Sequence, residues 1–140
     1  MTEVGVSKLR ILVVDDEPSV GEVVRMLLRF DGHDVSATHS GKDALAMLER
    51  NRYDLVITDF AMPGMNGDQL ASTIKAARPA QPVIMITGHA GMLPPRPSVD
   101  YIVGKPFQLE DLRDAIASVL PKPEVPVELK EKTPAARANV

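Results

Sequence analysis

The chain has 140 residues, of which 44% are hydrophobic and 25% charged, a composition typical of one globular domain and unlike a disordered chain. Nineteen acidic and sixteen basic residues give a net charge of −3, which provides no broad positive field for direct binding of nucleic acid or an anionic membrane. Cysteine is absent from the sequence, so disulfides, thiolate catalysis and zinc–thiolate clusters are excluded.

Five apolar segments rich in Val and Ile predict strands. In chain order they cover residues 9–14, 35–38, 54–58, 82–87 and 100–103. These segments lack the strict alternation of a sheet with one face in water, so we expect both faces of the sheet to be covered.

Between the strands, apolar residues recur at helical spacing. A first helix begins near Pro18, a shorter one follows Ser40, whose hydroxyl is expected to cap it, and two more begin near residues 70 and 109. Their apolar stripes are Val20, Val23, Val24, Leu27 and Leu28; Ala44, Leu45 and Leu48; Leu70, Thr73, Ile74 and Ala77; and Leu109, Leu112, Ile116, Val119 and Leu120. The alternation predicts an α/β fold, a three-layer sandwich with a five-stranded parallel sheet.

The two ends of the chain differ from this pattern. Residues 1–10 lack the apolar run of a signal peptide, and no segment approaches the ~18 apolar residues of a membrane span, so we predict a cytoplasmic protein. Residues 121–140 contain four prolines and no apolar stripe. We therefore expect a single folded domain over residues 1–120, no second domain, and a mobile tail over residues 121–140.

Polar side chains follow four of the predicted strands. Asp15 and Asp16 follow the first strand, Asp59 follows the third, Thr87 ends the fourth and Lys105 follows the fifth. Because the carboxyl ends of parallel strands meet at one edge, we expect these side chains to converge. Two carboxylates ~4 Å apart repel by about 4 kcal/mol at an effective dielectric of 20, so a cation is needed in addition to the lysine. Oxygen ligands favour Mg²⁺, whose open coordination positions suit phosphoryl chemistry.

Four motifs in chain order resemble those of response-regulator receiver domains, the phosphoaccepting modules of two-component signalling. They are Ile-Leu-Val-Val-Asp-Asp-Glu at 11–17, Thr-Asp-Phe-Ala-Met-Pro-Gly-Met-Asn-Gly at 58–67, Ile-Thr-Gly at 86–88 and Lys-Pro-Phe at 105–107. The resemblance extends over residues 9–120. It implies a flavodoxin-like sheet with strand order 2-1-3-4-5.

The resemblance also implies a role for each converging residue. Asp59 would accept the phosphoryl group as an acyl phosphate, and Thr87 and Lys105 would contact the phosphoryl oxygens. Mg²⁺ would be held by Asp16, Asp59, the carbonyl of Ala61 and, through water, Asp15.

The resemblance further implies partners and a mode of action. A sensor histidine kinase or a histidine phosphotransfer protein would donate the phosphoryl group. The chain would act as a stand-alone receiver through contacts with an unknown downstream protein, and it would catalyse only its own phosphorylation and dephosphorylation. Pro106 would follow a cis peptide bond that directs Lys105 into the site.

Two features depart from the family pattern. The segment 88–104 between the Thr and Lys motifs has 17 residues and contains Pro94, Pro95 and Pro97. A proline inside a helix costs ~3 kcal/mol, so the family's helix in this segment, its fourth, is predicted to be shortened or absent. Ile102 occupies the position of the family's aromatic switch, three residues before the lysine, while strand alternation would point Tyr101 to the opposite face.

Two alternatives remain open. A pseudo-receiver that binds partners without phosphorylation is supported only by the predicted shortening or loss of the fourth helix. A phosphatase of the haloacid dehalogenase type would also form an aspartyl phosphate, but it needs an Asp-x-Asp motif where this chain has Asp15-Asp16-Glu17-Pro18. The histidines, His33, His39 and His89, have no partner at metal-ligand spacing and are expected to be ordinary surface residues.

Overall fold

A computed structural model describes residues 8–88 and 90–120, so the predicted tail and His89 lie outside the described residues. The strands are β1 (Arg10–Val14), β2 (Asp34–Thr38), β3 (Leu55–Asp59), β4 (Val83–Thr87) and β5 (Tyr101–Gly104). The helices are α1 (Pro18–Phe30), α2 (Gly41–Arg50), α3 (Gly67–Ala77) and α4 (Leu109–Val119), with a 3-10 turn at Ala90–Met92. No described helix is both long enough and apolar enough to cross a membrane.

The five strands form one parallel sheet in the order β2-β1-β3-β4-β5, which confirms the predicted fold. The central strand β3 lies between β1 and β4, and all five of its residues are buried. Its last residue, Asp59, is in register with Ile86 of β4, and Thr87 is in register with Gly104 of β5. The register therefore brings the carboxyl ends of β3, β4 and β5 to the same edge of the sheet.

Both faces of the sheet are covered, as the apolar strands predict. Alternate residues of β1 point to opposite sides, with Ile11 and Val13 in one hydrophobic cluster and Leu12 and Val14 in the other. The first cluster includes side chains of α1 and α4, and the second includes side chains of α2 and α3. The domain is thus a three-layer sandwich.

The helices begin and end where local chemistry stabilises them. The Ser40 hydroxyl accepts a hydrogen bond from the Asp43 amide at 3.1 Å, as predicted for the start of α2. Pro18 occupies the first turn of α1, where its missing N–H costs no helical hydrogen bond.

The apolar stripes are wider than the faces that the helices bury. In α1 the buried positions are Gly21, Val24 and Leu28, whereas Val23 is 50% exposed. In α3, Thr73 and Ala77 are exposed although they fit the predicted spacing. Membership of the stripe therefore does not mean burial for these three residues, because helical spacing alone does not locate the centre of the buried face.

The segment between β4 and β5 contains, in its described part, a single 3-10 turn and no α-helix. This agrees with the helix-breaking effect expected of its prolines. The segment is attached to α3 instead: the Ser98 amide donates to Asp68 at 2.6 Å, and Lys75 pairs with Asp100 at 2.6 Å. Val99 packs against the cluster between the sheet and α2 and α3.

His33 is buried rather than on the surface, so the expectation for this residue was wrong. Its ring Nδ1 accepts a hydrogen bond from the Leu9 amide at 3.1 Å, which links the end of α1 to the start of β1. Burial lowers the pKa of His33 below its ordinary value, although the nearby Asp31 carboxylate opposes the shift.

Candidate functional site

The site is centred on Asp59, the last residue of β3. The strand pairs on both sides, so its end is enclosed, and Asp59 is only 8% exposed. The chain continues close to the sheet beyond this residue, because the Phe60 amide donates to the Ile86 carbonyl at 3.2 Å. The Asp59 carboxylate is therefore held at the edge of the sheet and is largely shielded from solvent.

Asp15 and Asp16 meet Asp59 at this edge. One carboxylate oxygen from each of the three residues lies within 4.8 Å of the others. Asp15 is buried, and its Oδ1 accepts a hydrogen bond from the Glu17 amide at 2.8 Å, which fixes the turn between β1 and α1. The predicted convergence of the three acids is therefore present in the structure.

Lys105 reaches the same cluster from the loop after β5. Its Nζ donates to Asp59 Oδ1 at 3.0 Å, and its backbone amide donates to the Thr87 carbonyl at 2.9 Å. The peptide bond between Lys105 and Pro106 is cis, as expected. The lysine thus places a positive group in direct contact with the acidic cluster.

Thr87 and Ala61 complete the set of predicted residues. Thr87 ends β4 and is 2% exposed. Ala61 lies two residues after Asp59 in the loop between β3 and α3, and it is exposed. Both residues belong to segments that border the cluster.

Two contacts at the site were missed from the sequence. Gly67 donates its amide to the Phe60 carbonyl at 2.8 Å, and a Cβ at this position would collide with the carbonyl oxygen of Asp59. His39 lies with Nδ1 3.2 Å from the Asp15 carbonyl oxygen, so this nitrogen carries the proton and donates. Gly67 ends the motif at residues 58–67, so its position in the sequence could have indicated a role at the site. No sequence pattern indicated the contact between His39 and Asp15, which lie 24 residues apart.

The electrostatics of the cluster favour a bound cation. Burial raises the pKa of Asp15, and the Asp59 and Asp16 carboxylates add to this effect, while the Glu17 amide and the Lys105 ammonium oppose it. When ionised, the three carboxylates exceed the charge of the single lysine by two. A hard divalent cation with oxygen ligands matches both this charge and this donor set.

Comparison with known proteins places this geometry in a family. Residues 11–117 match the response regulator receiver domain family. The DNA-binding response regulator MtrA of Mycolicibacterium smegmatis is 36% identical over 107 residues, which cover 74% of this chain and 46% of MtrA. The probable transcriptional regulatory protein TcrX of Mycobacterium tuberculosis is 33% identical over 73% of this chain and 45% of TcrX. The chain thus spans less than half the length of these two relatives.

A solved structure agrees in both sequence and fold. The response regulator TrrA of Thermotoga maritima, crystallised in complex with Mg²⁺–BeF, superimposes with a TM-score of 0.71 and 32% identity, covering 79% of this chain and 98% of TrrA. A second structure contains TrrA in complex with the histidine kinase ThkA and matches with a TM-score of 0.70 and 31% identity over 80% of this chain and 98% of that chain. The chain therefore belongs to the response regulator receiver domain family.

Proposed function

We propose that this receiver accepts a phosphoryl group on Asp59 from a histidine kinase or a histidine phosphotransfer protein and signals through contacts with other proteins. The observation that carries the proposal is the arrangement around Asp59: a buried carboxylate with two further carboxylates within 4.8 Å and a lysine ammonium at 3.0 Å. Such a carboxylate is suited to form a bond to phosphorus, with Lys105 and a divalent cation held by the carboxylates balancing the negative charge.

The transfer is a displacement at phosphorus. A carboxylate oxygen of Asp59 forms the new O–P bond, the bond from phosphorus to the donor's histidine nitrogen breaks, and the electron pair stays on that nitrogen, which then takes a proton. Lys105 already contacts Asp59 Oδ1, so it stands where negative charge would collect on the transferred oxygens. We assign Thr87 to the same oxygens because it ends β4 in register with Gly104, one residue before Lys105.

The acidic cluster fits Mg²⁺. Asp16, Asp59 and the carbonyl of Ala61 would hold the ion, with Asp15 acting through water. When bound, the ion would neutralise charge on the carboxylates and on the phosphoryl oxygens. The crystallisation of TrrA with Mg²⁺–BeF supports this assignment.

The choice of partner rests on the same relatives. TrrA forms a complex with the histidine kinase ThkA, which supports a kinase as donor here. MtrA is described as DNA-binding, but this chain matches less than half of it, and the net charge of −3 favours protein contacts for the receiver itself. A stand-alone protein and a cytoplasmic location stay predictions from the sequence.

Phosphorylation is tested by incubating the chain with a small-molecule phosphodonor and Mg²⁺, followed by intact mass measurement. We expect a gain of one phosphoryl group that disappears in Asp59→Asn and when Mg²⁺ is chelated. Asp43→Asn is the matched control, because Asp43 is an exposed aspartate in the first turn of α2. A phosphoryl group that persists in Asp59→Asn would contradict the proposal.

The role of Lys105 is tested in the same assay. Lys105→Ala should lower the rate of phosphorylation by about 10²-fold, the typical effect of removing one preorganised charge-stabilising group. Lys42→Ala, which removes an exposed lysine from α2, should leave the rate unchanged. Equal rates in both variants would show that the contact at 3.0 Å does not contribute.

The two alternative functions give different outcomes. A folded chain that never gains mass but still binds its partner would be a pseudo-receiver. Continuous phosphate release from unrelated phosphate esters would indicate a phosphatase. Both outcomes would overturn the proposal, and the mass gain and the phosphate release are both measured without an identified kinase.

A further inference from the structure

Helix α1 carries an apolar stripe that faces solvent. Val23 is 50% exposed, Met26 61% and Phe30 79%, and they are three of the five large hydrophobic residues that are exposed in the described part of the chain. Their spacing of three and four residues aligns them along one side of the helix. Large apolar side chains grouped in this way on a surface helix are typical of an interaction surface.

The charges beside the stripe have opposite signs at its two ends. Glu22 and Arg29 are both exposed and lie seven residues apart, so they flank the same side of the stripe. The midpoint between Glu22 and Arg29 lies between positions 25 and 26. The midpoint between Val23 and Phe30 lies between positions 26 and 27. Met26 therefore lies at the centre of both pairs.

This arrangement is complementary to itself. If a second α1 packs antiparallel across the stripe, Met26 of one copy meets Met26 of the other, and Val23 of each copy meets Phe30 of the other. Glu22 of each copy then faces Arg29 of the other, which gives two ion pairs. A two-fold axis requires such pairing of one patch with its own copy. A stripe with charges of one sign, or with the charged residues off-centre, would not pair in this way.

We propose that two copies of this chain associate through an antiparallel pairing of their α1 helices, centred on Met26. The proposal is independent of phosphorylation. Stable interfaces bury about 800 Å² on each partner, which is more than three side chains supply. The dimer is therefore weak and depends on protein concentration, with Phe30 as the main anchor because its large aromatic side chain is 79% exposed and has the most apolar area to bury.

The first test is sedimentation equilibrium of the 140-residue chain from about 10 µM to about 1 mM, a range that covers weak association. We expect reversible dimerisation, with Phe30→Ser raising the dissociation constant at least tenfold. The urea midpoint of this variant should stay unchanged, since Phe30 is 79% exposed. Ile102→Ser is the control, because Ile102 is an exposed apolar residue on β5.

Charge reversal provides the specific test. Glu22→Arg alone and Arg29→Glu alone should each weaken the dimer severalfold, and the double variant should restore it, since each copy then pairs again in the opposite sense. Helix content is measured in parallel, because Glu22 also pairs with Arg25 at 3.1 Å within α1.

Three outcomes would overturn the proposal. The chain could stay monomeric up to the highest concentration, the double variant could fail to restore association, or Ile102→Ser could weaken it as much as Phe30→Ser. A monomeric chain whose phosphorylation by a kinase slows in Phe30→Ser, with small-molecule phosphorylation intact, would assign the stripe to the kinase instead.

Discussion

Two glycines near the site differ in what a side chain would meet. A Cβ on Gly67 would collide with the Asp59 carbonyl oxygen, a backbone atom that cannot rotate away, whereas a Cβ on Gly88 would meet Lys105 Cβ at an ordinary 3.7 Å. We expect Gly67→Ala to destabilise the fold by about 1–3 kcal/mol, the usual cost of overpacking. Gly88→Ala should stay within about 0.5 kcal/mol of the parent.

Urea unfolding of both variants, combined with the phosphorylation assay, checks this difference. Gly67→Ala should also slow phosphorylation, because the backbone that must shift belongs to Asp59 itself. The paired design cancels the general effect of replacing glycine by alanine on the unfolded chain. Equal losses in the two variants would contradict the steric argument.

His33 makes the stability of the fold depend on pH. Burial lowers its pKa from the ordinary 6.5, so the unfolded chain takes up the proton before the folded chain does. The stability that neutral His33 contributes is complete above pH 6.5 and is lost as the pH falls from there toward the lowered pKa of the folded state. Protonation of Nδ1 would also remove the hydrogen bond from Leu9.

The measurement is the urea midpoint between about pH 8 and pH 5, the range in which histidine titrates. His33→Gln, whose side-chain oxygen can still accept from the Leu9 amide, should show a smaller loss on acidification than the parent. His39→Gln, at an exposed histidine, is the control and should retain the parent's loss. A parent-like pH dependence in His33→Gln would show that other groups cause it.

The residues that the sequence predicted are those with a local signal. Asp15, Asp16, Asp59 and Lys105 are charged side chains directly after apolar strands, and a parallel sheet brings such positions together whatever the loops do. Gly67, His33 and His39 were missed because their contacts depend on the course of the backbone in three dimensions.

At the scale of elements, it was easier to predict whether a segment is a helix or a strand than to predict which side of a helix is buried. All five strands were identified because runs of Val and Ile bounded by polar residues are short and distinctive. The helices were found too, but α1 has more apolar residues than one face can bury, so the predicted stripe includes the exposed Val23. The surplus apolar residues are the ones that form the exposed stripe.

The segment between β4 and β5 keeps its position through Asp100. Its Oδ2 accepts from Lys75 Nζ at 2.6 Å and from the Val83 amide at 2.8 Å, so one carboxylate joins α3, β4 and the segment itself. We expect Asp100→Ala to lower stability by about 1 kcal/mol, since the pair is partly exposed. Hydrogen exchange at the Val83 amide should become faster.

Asp114→Ala is the matched control, since Asp114 is an exposed aspartate on α4. Its exchange pattern at β4 should equal that of the parent. If Val83 exchange does not change in Asp100→Ala, backbone packing alone holds the segment, and the carboxylate would not be its anchor.

At the scale of the whole molecule, the sheet separates two hydrophobic clusters. Strands β1, β3 and β4 contribute residues to both, so loss of either cluster would uncover one face of the same three strands. The site lies where these three strands and β5 end, and its geometry therefore depends on both clusters. This shared sheet predicts that the domain unfolds as one cooperative unit.

The two tyrosines allow this prediction to be measured side by side. Tyr53 belongs to the cluster with α2 and α3, Tyr101 packs against the cluster with α1 and α4, and the chain has no tryptophan. Tyr53→Phe and Tyr101→Phe each leave one fluorescent reporter, and both reporters should follow the same urea transition as circular dichroism. Ile84→Val and Ile74→Val, one in each cluster, should each cost about 0.5–1.5 kcal/mol and shift both reporters equally. If a substitution in one cluster moved only the nearer tyrosine, the two faces would unfold separately.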